Sequence, residues 1–332
     1  MTKKRKAIVA LIVLAAAIGA YLVLAAPKHS IIYKDIPVGE DVMLTSQGCP
    51  LAASFLAPVA SAALAPGVVM VVGSGSYSYR SSWRSGGFPL WKNTSEAFLA
   101  KGFAVLLLEK KGVNRSGGHW ETQTFRDRAQ DAIEGVRYLR SRPGIDPARV
   151  GLCGHSQGGW IVQLAAAEAP EEVAFVVNLA GPNISVKQQV IDDQENEWRC
   201  QGLAEDKIAG KSRWLRRKLD IYGALSRLVK IGSLSRIINY DPDADNIPAR
   251  IKCPLLAVYG ENDRLVIPGG NIPLLEKGLR AAGNVRAKIV IVPGGSHGFE
   301  RISGKCPQEF KEAPKLAPEF FEALAAWDPF VQ

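Results

Sequence analysis

The residues best suited to chemistry lie in Gly154-His-Ser-Gln-Gly158, where one serine stands between two glycines. An apolar run predicted as a strand precedes this segment, and an apolar stretch predicted as a helix follows it. A serine in such a strand-to-helix turn is typical of a nucleophile elbow, and the helix N-terminus behind it favours developing negative charge. We therefore predict that Ser156 is a nucleophile. The alternative is a glycine-rich turn that carries an incidental serine.

A serine nucleophile requires a base, because its free hydroxyl reacts poorly. The chain has only four histidines. His29 flanks an apolar segment, His119 lies in a glycine-rich loop, and His155 lies inside the predicted elbow with its side chain expected to point away from Ser156. His297 follows the last predicted strand, and the carboxyl ends of parallel strands meet at one sheet edge. His297 is therefore the predicted base.

The base needs an acid that fixes its tautomer and stabilises the imidazolium. Two candidates, Glu261 and Asp263, follow the predicted strand 254–259. Asp263 has an alternative role as a helix N-cap, which is common for an aspartate before a helix. The residues by themselves leave the choice between the two acids open.

An oxyanion would also have to be held. One predicted donor is the backbone N–H of Gln157, the residue after the nucleophile. The second is expected from the glycine-rich loop after the predicted strand 68–72, where small residues let the backbone approach a substrate. Gly75 is the predicted donor, with Ser74 and Ser76 as its neighbouring alternatives.

The same loop begins like a dinucleotide-binding fingerprint. However, the third glycine position is Ser78, and the acid that ends the next predicted strand, Glu109, lies 34 residues after Gly75 instead of about 20. A phosphate loop, a zinc-protease motif and a base-reading motif are all missing from the sequence. No cofactor, metal or nucleic acid is predicted.

Strand and helix patterns alternate along most of the chain, which predicts an α/β fold with a doubly wound, mostly parallel sheet. Residues 30–58 are predicted as two or three antiparallel strands. The later predicted strands are 68–72, 103–108, 149–153, 173–180, 254–259 and 287–292. The predicted helices are 95–100, 129–139, 160–168, 274–282 and 317–327.

The alternation lapses in one segment, which is predicted as a helical cap insertion over residues 183–252. It divides a core of residues 28–182 and 253–332. Its amphipathic stretch, 214–229, has Leu215, Leu219, Tyr222 and Leu225 spaced for one helix face. The basic run at 211–218 is interpreted as a solvated face, with contact to anionic lipid as the alternative.

The N-terminus combines a basic cluster at 3–6 with 20 uncharged residues at 7–26. A helix of that length matches the hydrocarbon core of a bilayer, and the flank also fits a signal peptide. We predict a signal anchor over residues 1–27, with the later residues outside the cytoplasm. Cleavage after Val23-Leu-Ala25, giving a secreted or periplasmic protein, is the main alternative. A buried soluble helix is the remaining one.

Nearly half of the formal net charge of +9 lies at that end. Removing the four cations at 3–6 leaves 37 basic and 32 acidic residues, a net charge of +5. The charge therefore does not indicate nucleic-acid binding. Five scattered cysteines form neither a zinc motif nor a disulfide framework. Cys153 is predicted to be a core residue. The sequence allows one disulfide among the other four but does not select the pair.

Four segments make the sequence similar to a known family. They are 72–80, 108–118, 151–159, and 259–263 taken together with 295–297. In these segments the chain resembles bacterial α/β-hydrolase esterases of the serine aminopeptidase-like and dienelactone-hydrolase-like branch. The chain order Ser, Asp, His is that of α/β-hydrolases, and the resemblance favours Asp263 over Glu261. The chain departs from many relatives at Glu109, which replaces Asp, at Lys111, which replaces Arg, and at Ser76, which replaces Pro.

The resemblance implies a serine carboxylic-ester hydrolase that acts on a small-molecule ester or acyl substrate without a cofactor. Relatives also include peptidases, thioesterases and acyltransferases, which use the same triad. An inactive α/β-hydrolase serving as a binding module is the alternative from another class.

Overall fold

Eight strands form one sheet in the computed structural model, which describes residues 36–58, 63–84, 87–306 and 315–331. The strands are β1 (Glu40–Ser46), β2 (Cys49–Leu56), β3 (Ala65–Val71), β4 (Ala104–Leu108), β5 (Ile145–His155), β6 (Val176–Leu179), β7 (Leu255–Gly260) and β8 (Ala287–Val292). Their order in the sheet is β1-β2-β4-β3-β5-β6-β7-β8. Strands β1 and β2 pair antiparallel, β2 joins β4 antiparallel, and β3 to β8 are parallel. The predicted fold class is confirmed.

The helices connect the parallel strands and cover both faces of the sheet. They are α1 (Leu90–Ala100), α2 (Phe125–Ser141), α3 (Gln157–Glu168), α4 (Val186–Cys200), α5 (Glu205–Leu225), α6 (Leu234–Ile237), α7 (Pro268–Ala282) and α8 (Pro318–Ala325). Helices α1, α2, α3 and α7 begin earlier than predicted. Helix α7 starts at Pro268, a residue suited to the first helical position because it lacks an N–H that a helix would leave unbonded there.

The central strands are buried on both faces, as continuous apolar runs are in parallel sheets. Alternate residues of β3 point to opposite layers: Val69 packs in one apolar core, and Val68 and Met70 pack in the other. Because these strands have no solvent-facing side, their carboxyl ends form a rigid edge from which loops project.

All regular elements between residues 183 and 252, the range of the predicted cap segment, are helical. The amphipathic stretch is helical over Glu205–Leu225, not over 214–229, because the chain turns after Leu225. The expected single apolar face is only partly present. Leu219 is buried, but Leu225 is 58% exposed.

A disulfide joins the cap segment to the core. Cys200, the last residue of α4, is bonded to Cys306 in the loop after β8, with 5.3 Å between their Cα atoms. The described free cysteines are Cys49, Cys153 and Cys253, and Cys153 is a buried core residue as predicted. This pairing was left open by the sequence, since it depends on which loops meet.

The described residues contain no helix that is long and apolar enough to cross a membrane. The predicted anchor over residues 1–27 lies outside them.

Candidate active site

Ser156 occupies the turn between β5 and α3, at the carboxyl edge of the sheet. Its backbone has φ 56° and ψ −124°, a conformation that residues other than glycine rarely adopt. Its N–H donates to the carbonyl of Leu179 on the neighbouring strand, at 2.9 Å. The turn is thus held by the sheet itself, and the strained serine stands at the start of a helix.

The two motif glycines are required by close packing. A Cβ at Gly154 would collide with the carbonyl of Gly158, and a Cβ at Gly158 would collide with the carbonyl of Val71 at the end of β3. Side chains at these positions would push α3 away from the sheet. The Gly-x-Ser-x-Gly pattern is therefore a consequence of how closely the helix and the strands approach.

Asp263 and His297 are in direct contact. Asp263 Oδ2 lies 2.7 Å from His297 Nδ1, and the Asp263 side chain is fully buried. Its other oxygen, Oδ1, accepts from the N–H groups of Leu265 and Val266 at 2.8 and 2.9 Å. One carboxylate thus fixes the turn after β7 and faces the histidine. It does not act as the helix N-cap considered as its alternative role, because the N-cap of α7 is Ile267.

The rival acid, Glu261, does not face His297. Its Oε2 accepts from the N–H of Gly294 at 2.8 Å, so it braces the loop that carries the histidine. The two loops are further joined by a bond from the N–H of Asn262 to the carbonyl of Gly295 at 2.8 Å. A Cβ at Gly260 would collide with Ser296 O, so only glycine permits this approach.

The electrostatic surroundings of His297 are acidic. Burial would lower the pKa of His297, but the charge of Asp263 and its hydrogen bond outweigh burial. With further contributions from Asp193 and Glu300, they raise the pKa above its ordinary value. Asp193 lies on cap helix α4, and burial raises its own pKa to about 6. A histidine with such neighbours is well suited to accept a proton and hold it briefly.

His155 takes part in the site, contrary to the sequence interpretation, which gave it no role. Its Nε2 lies 2.9 Å from the carbonyl of His297, and the two rings are 4.8 Å apart. Burial, together with the charge of His297, lowers the pKa of His155 to about 3. His155 is therefore neutral, and its Nε2–H donates to the His297 backbone. The available signal was a polar residue at the end of an otherwise apolar strand.

Ser156 Oγ makes no hydrogen bond within the described ranges. The structure brings its backbone neighbour, His155, against His297, and catalytic hydrogen bonds often tighten only when substrate binds. The loop after β3 also reaches the serine. A Cβ at Gly73 would lie 3.4 Å from the Ser156 Cβ and 3.8 Å from its Oγ.

The predicted oxyanion residues lie together. Gln157, Gly75 and Ser74 line one cavity of about 200 Å³. Gly75 has φ +67°, a conformation that glycine adopts freely and that turns the backbone of this loop. Both Ser74 and Gly75 remain candidates for the second donor.

Two buried basic side chains, Lys110 and Arg128, hold this loop, and the sequence analysis missed both. Burial lowers the pKa of Lys110 well below its ordinary value. Lys110 Nζ donates to the carbonyl of Gly73 at 2.8 Å and also to that of Gly75. Arg128 donates to the carbonyl of Val72 at 2.8 Å and to Gln157 Oε1. Burial lowers the pKa of Arg128 to about 10, so it stays charged at neutral pH.

A second cavity lies on the side of His297. It measures about 420 Å³ and shares no lining residue with the first. His155, His297, Leu265 and Arg264 contribute to its wall, and the disulfide residue Cys306 lies at its border.

The dinucleotide alternative finds no support in the loop after β3. The next element is a short 3₁₀ helix, Tyr79–Trp83, not the α-helix that such a fingerprint opens. Glu109 is buried and accepts from Ser78 Oγ and Asn114 Nδ2, each at 2.6 Å. Burial raises its pKa to about 7. Within the described part of the chain, no group of three or more histidine, cysteine or acidic side chains is arranged to hold a metal ion.

Solved structures share this architecture. Est1E from Butyrivibrio proteoclasticus, with ferulic acid bound, is 15% identical, with a TM-score of 0.54 over 86% of this chain and 96% of that one. The Pyrococcus furiosus esterase Pf2001 is 19% identical, with a TM-score of 0.55 over 80% of this chain and 88% of that one. At such low identities the likeness shows the fold alone.

The sequence family described as serine aminopeptidase, S33, matches residues 90–301. That range contains Ser156, Asp263 and His297. It also contains the cap segment and seven of the eight described α-helices in full, together with strands β4 to β8. The chain therefore belongs to the serine aminopeptidase S33 family of the α/β-hydrolase superfamily, and it is a hydrolase.

Proposed function

We propose that this hydrolase cleaves carboxylic esters through an acyl-enzyme intermediate formed on Ser156. The observation that carries the proposal is the 2.7 Å contact between Asp263 and His297, next to a strained serine at the same sheet edge. One of the structurally similar proteins, Pf2001 from Pyrococcus furiosus, is an esterase, which agrees with ester chemistry.

In the proposed first step, Ser156 Oγ attacks the acyl carbon and His297 Nε2 accepts the hydroxyl proton. Asp263 keeps the proton of Nδ1 in place and stabilises the imidazolium. The carbonyl oxygen becomes an oxyanion, which accepts hydrogen bonds from the backbone N–H groups of Gln157 and Gly75. Each such donor is worth about 3 kcal/mol of transition-state stabilisation.

The tetrahedral intermediate then collapses, and the proton on His297 passes to the leaving alcohol. The acyl group stays bonded to Ser156 Oγ. Water then gives a proton to His297 and attacks the acyl carbon, and collapse of this intermediate returns the proton to Ser156 and releases the acid. Because the leaving group must meet His297, we assign the alcohol to the larger cavity and the acyl chain to the cavity beside Gly75.

The direct test compares wild type with Ser156→Ala on p-nitrophenyl esters of increasing chain length and with a fluorophosphonate probe. Turnover and labelling should both be lost in the variant. The matched control is Ser141→Ala, because Ser141 is the last residue of α2 and lines neither cavity. Undiminished turnover in Ser156→Ala would reject the mechanism, and a wild-type protein that the probe fails to label would favour an inactive binding module.

A second candidate, amide-bond cleavage by the same triad, is favoured by the family description. Aminoacyl p-nitroanilides, assayed beside esters and thioesters, separate these activities. A higher kcat/KM for the anilides would replace the ester proposal with a peptidase.

We also propose that the catalytic domain lies outside the cytoplasm, held by the segment 7–26. The Cys200–Cys306 disulfide supports this location, since such bonds persist in oxidising compartments. Carbonate extraction of membranes should leave the protein in the pellet, and a cysteine-reactive mass tag should add two labels only after reduction. Complete release by carbonate would reject the anchor.

A further inference from the structure

Helix α5 of the cap segment has two faces of different character. Ile208, Ser212, Leu219 and Gly223 are buried and hold the helix to the protein. At 100° per residue these four lie within a sector of about 60°. The opposite face has no packing partner in the described structure, and its composition is therefore not explained by the core.

That opposite face carries large apolar side chains. Trp214 is 59% exposed, Ile221 62% and Leu225 58%. By the same spacing they fall within roughly 40° of one another, centred on the side away from the buried residues. The turn after α5 adds Leu228, the most exposed of these at 83%, and Val229 at 57%. Exposed apolar side chains that form one continuous stripe mark an interaction surface.

The stripe is flanked only by cations. Lys207, Lys211, Arg217 and Lys218 lie within about 60° of Trp214 on the helix surface, and all four are exposed. The Lys218 ammonium lies 3.2 Å from the centroid of the Trp214 ring. Beyond the helix, Leu228 and Val229 stand between Arg227 and Lys230.

The acids of α5 lie outside this sector. Glu205 is paired with Arg199 on α4 at 2.9 Å, and Asp220 is paired with Lys187 at 2.7 Å. Asp206, about 80° from Trp214, lies in the first turn. The stripe therefore keeps its positive charge, and it has no internal counter-ion along its length.

We propose that this face of α5, together with the 227–230 turn, docks onto an anionic lipid bilayer. Tryptophan favours the water–lipid boundary, where its ring is half solvated, and lysine and arginine bind lipid phosphates beside it. Repulsion between like charges disfavours two other partners for this face. A second copy would bring the same cations against it, and the chain's own segment 7–26 is preceded by four further cations.

The proposal is independent of the ester chemistry, because no residue of the stripe lines either cavity beside Ser156. It is also distinct from the predicted anchor. The anchor would tether the chain, whereas docking would fix which face of the domain meets the bilayer.

The test uses the full chain reconstituted in vesicles of phosphatidylcholine alone or with 30% phosphatidylglycerol, each with and without brominated phosphatidylcholine. Bromine quenches indoles that lie in the bilayer, so the signal of Trp214 is the difference between wild type and Trp214→Phe. We expect at least a twofold quenching and a blue shift of that difference signal in anionic vesicles. Both should fall sharply in neutral vesicles and in high salt.

A charge-reversal pair makes the test specific. Lys211→Glu/Lys218→Glu should abolish the quenching of Trp214, whereas Lys92→Glu/Lys288→Glu, which changes the net charge equally on exposed cations elsewhere, should preserve it. An unquenched, solvent-like Trp214 in anionic vesicles would overturn the proposal. Equal quenching in neutral vesicles would overturn the anionic occupant, and lipid-independent shielding of Trp214 that grows with protein concentration would identify a second copy instead.

Discussion

The two sides of Ser156 are built with opposite charge. On the histidine side, the acids Asp263, Asp193 and Glu300 all act on His297. On the oxyanion side, the cation Arg128 and the buried Lys110 hold the backbone carbonyls of the loop after β3. During attack, positive charge develops on the base and negative charge on the carbonyl oxygen. Each side of the site therefore carries charge opposite to the charge that develops there.

The two sides also differ in how they are fixed. The oxyanion loop is held by buried side chains from the segment after β4 and from α2. The histidine loop is held by backbone bonds to the β7 turn and, at its far end, by the disulfide to the cap. Core packing therefore positions the oxyanion side of the site. The cap segment contributes the charge of Asp193 and the disulfide to the histidine side.

The largest expected effect comes from the histidine side. Asp263→Asn should lower kcat on the order of 10³- to 10⁴-fold, because the amide would stabilise the wrong tautomer of His297. Steady-state kinetics on the preferred ester checks this. Glu261→Gln is the control and should stay within severalfold of wild type, since Glu261 bonds only Gly294. Reversed sensitivities would make Glu261 the acid.

The oxyanion side should be less sensitive to a single change. Arg128→Met removes the hydrogen bond to Val72 and the charge, but leaves the backbone donors in place, so kcat should fall roughly 10- to 100-fold with KM nearly constant. Arg126→Met, two residues away and paired with Glu168 on the surface, serves as the control. A rise in KM at unchanged kcat would instead place Arg128 in substrate binding.

The contribution of the Cys200–Cys306 disulfide to the free energy of unfolding can be measured. Cys306→Ser removes a link that spans 106 residues of sequence and should lower the free energy of unfolding by about 2–4 kcal/mol. Urea unfolding followed by circular dichroism measures this, with Cys253→Ala as the free-cysteine control. If wild type in reductant unfolds at the same urea concentration as untreated protein, the disulfide contributes nothing.

The smallest expected effect is a shift in pH dependence. His297 must be neutral to act as a base, so activity falls as pH drops through its raised pKa. Asp193→Asn removes a charge that favours the imidazolium, so the acidic limb of kcat/KM should move to lower pH by on the order of half a unit. Asp192→Asn, whose carboxylate bonds Gln188, is the control. A shift to higher pH would contradict the assignment.

The sequence determined the fold class and the local motifs, because strand burial and close packing impose their own patterns. A strand buried on both faces must be a continuous apolar run, as 68–72 is, and the elbow glycines are demanded by backbone contacts within a few residues. The sequence also identified Ser156, Asp263 and His297 as candidates, because each follows a predicted strand.

Only the tertiary structure decided the contacts between distant segments. It placed Asp263 instead of Glu261 on His297, paired Cys200 with Cys306, and left Leu225 exposed. It also brought Lys110 and Arg128 to the oxyanion loop. Such contacts join loops far apart in sequence, and no local periodicity records which loops meet when the sheet assembles.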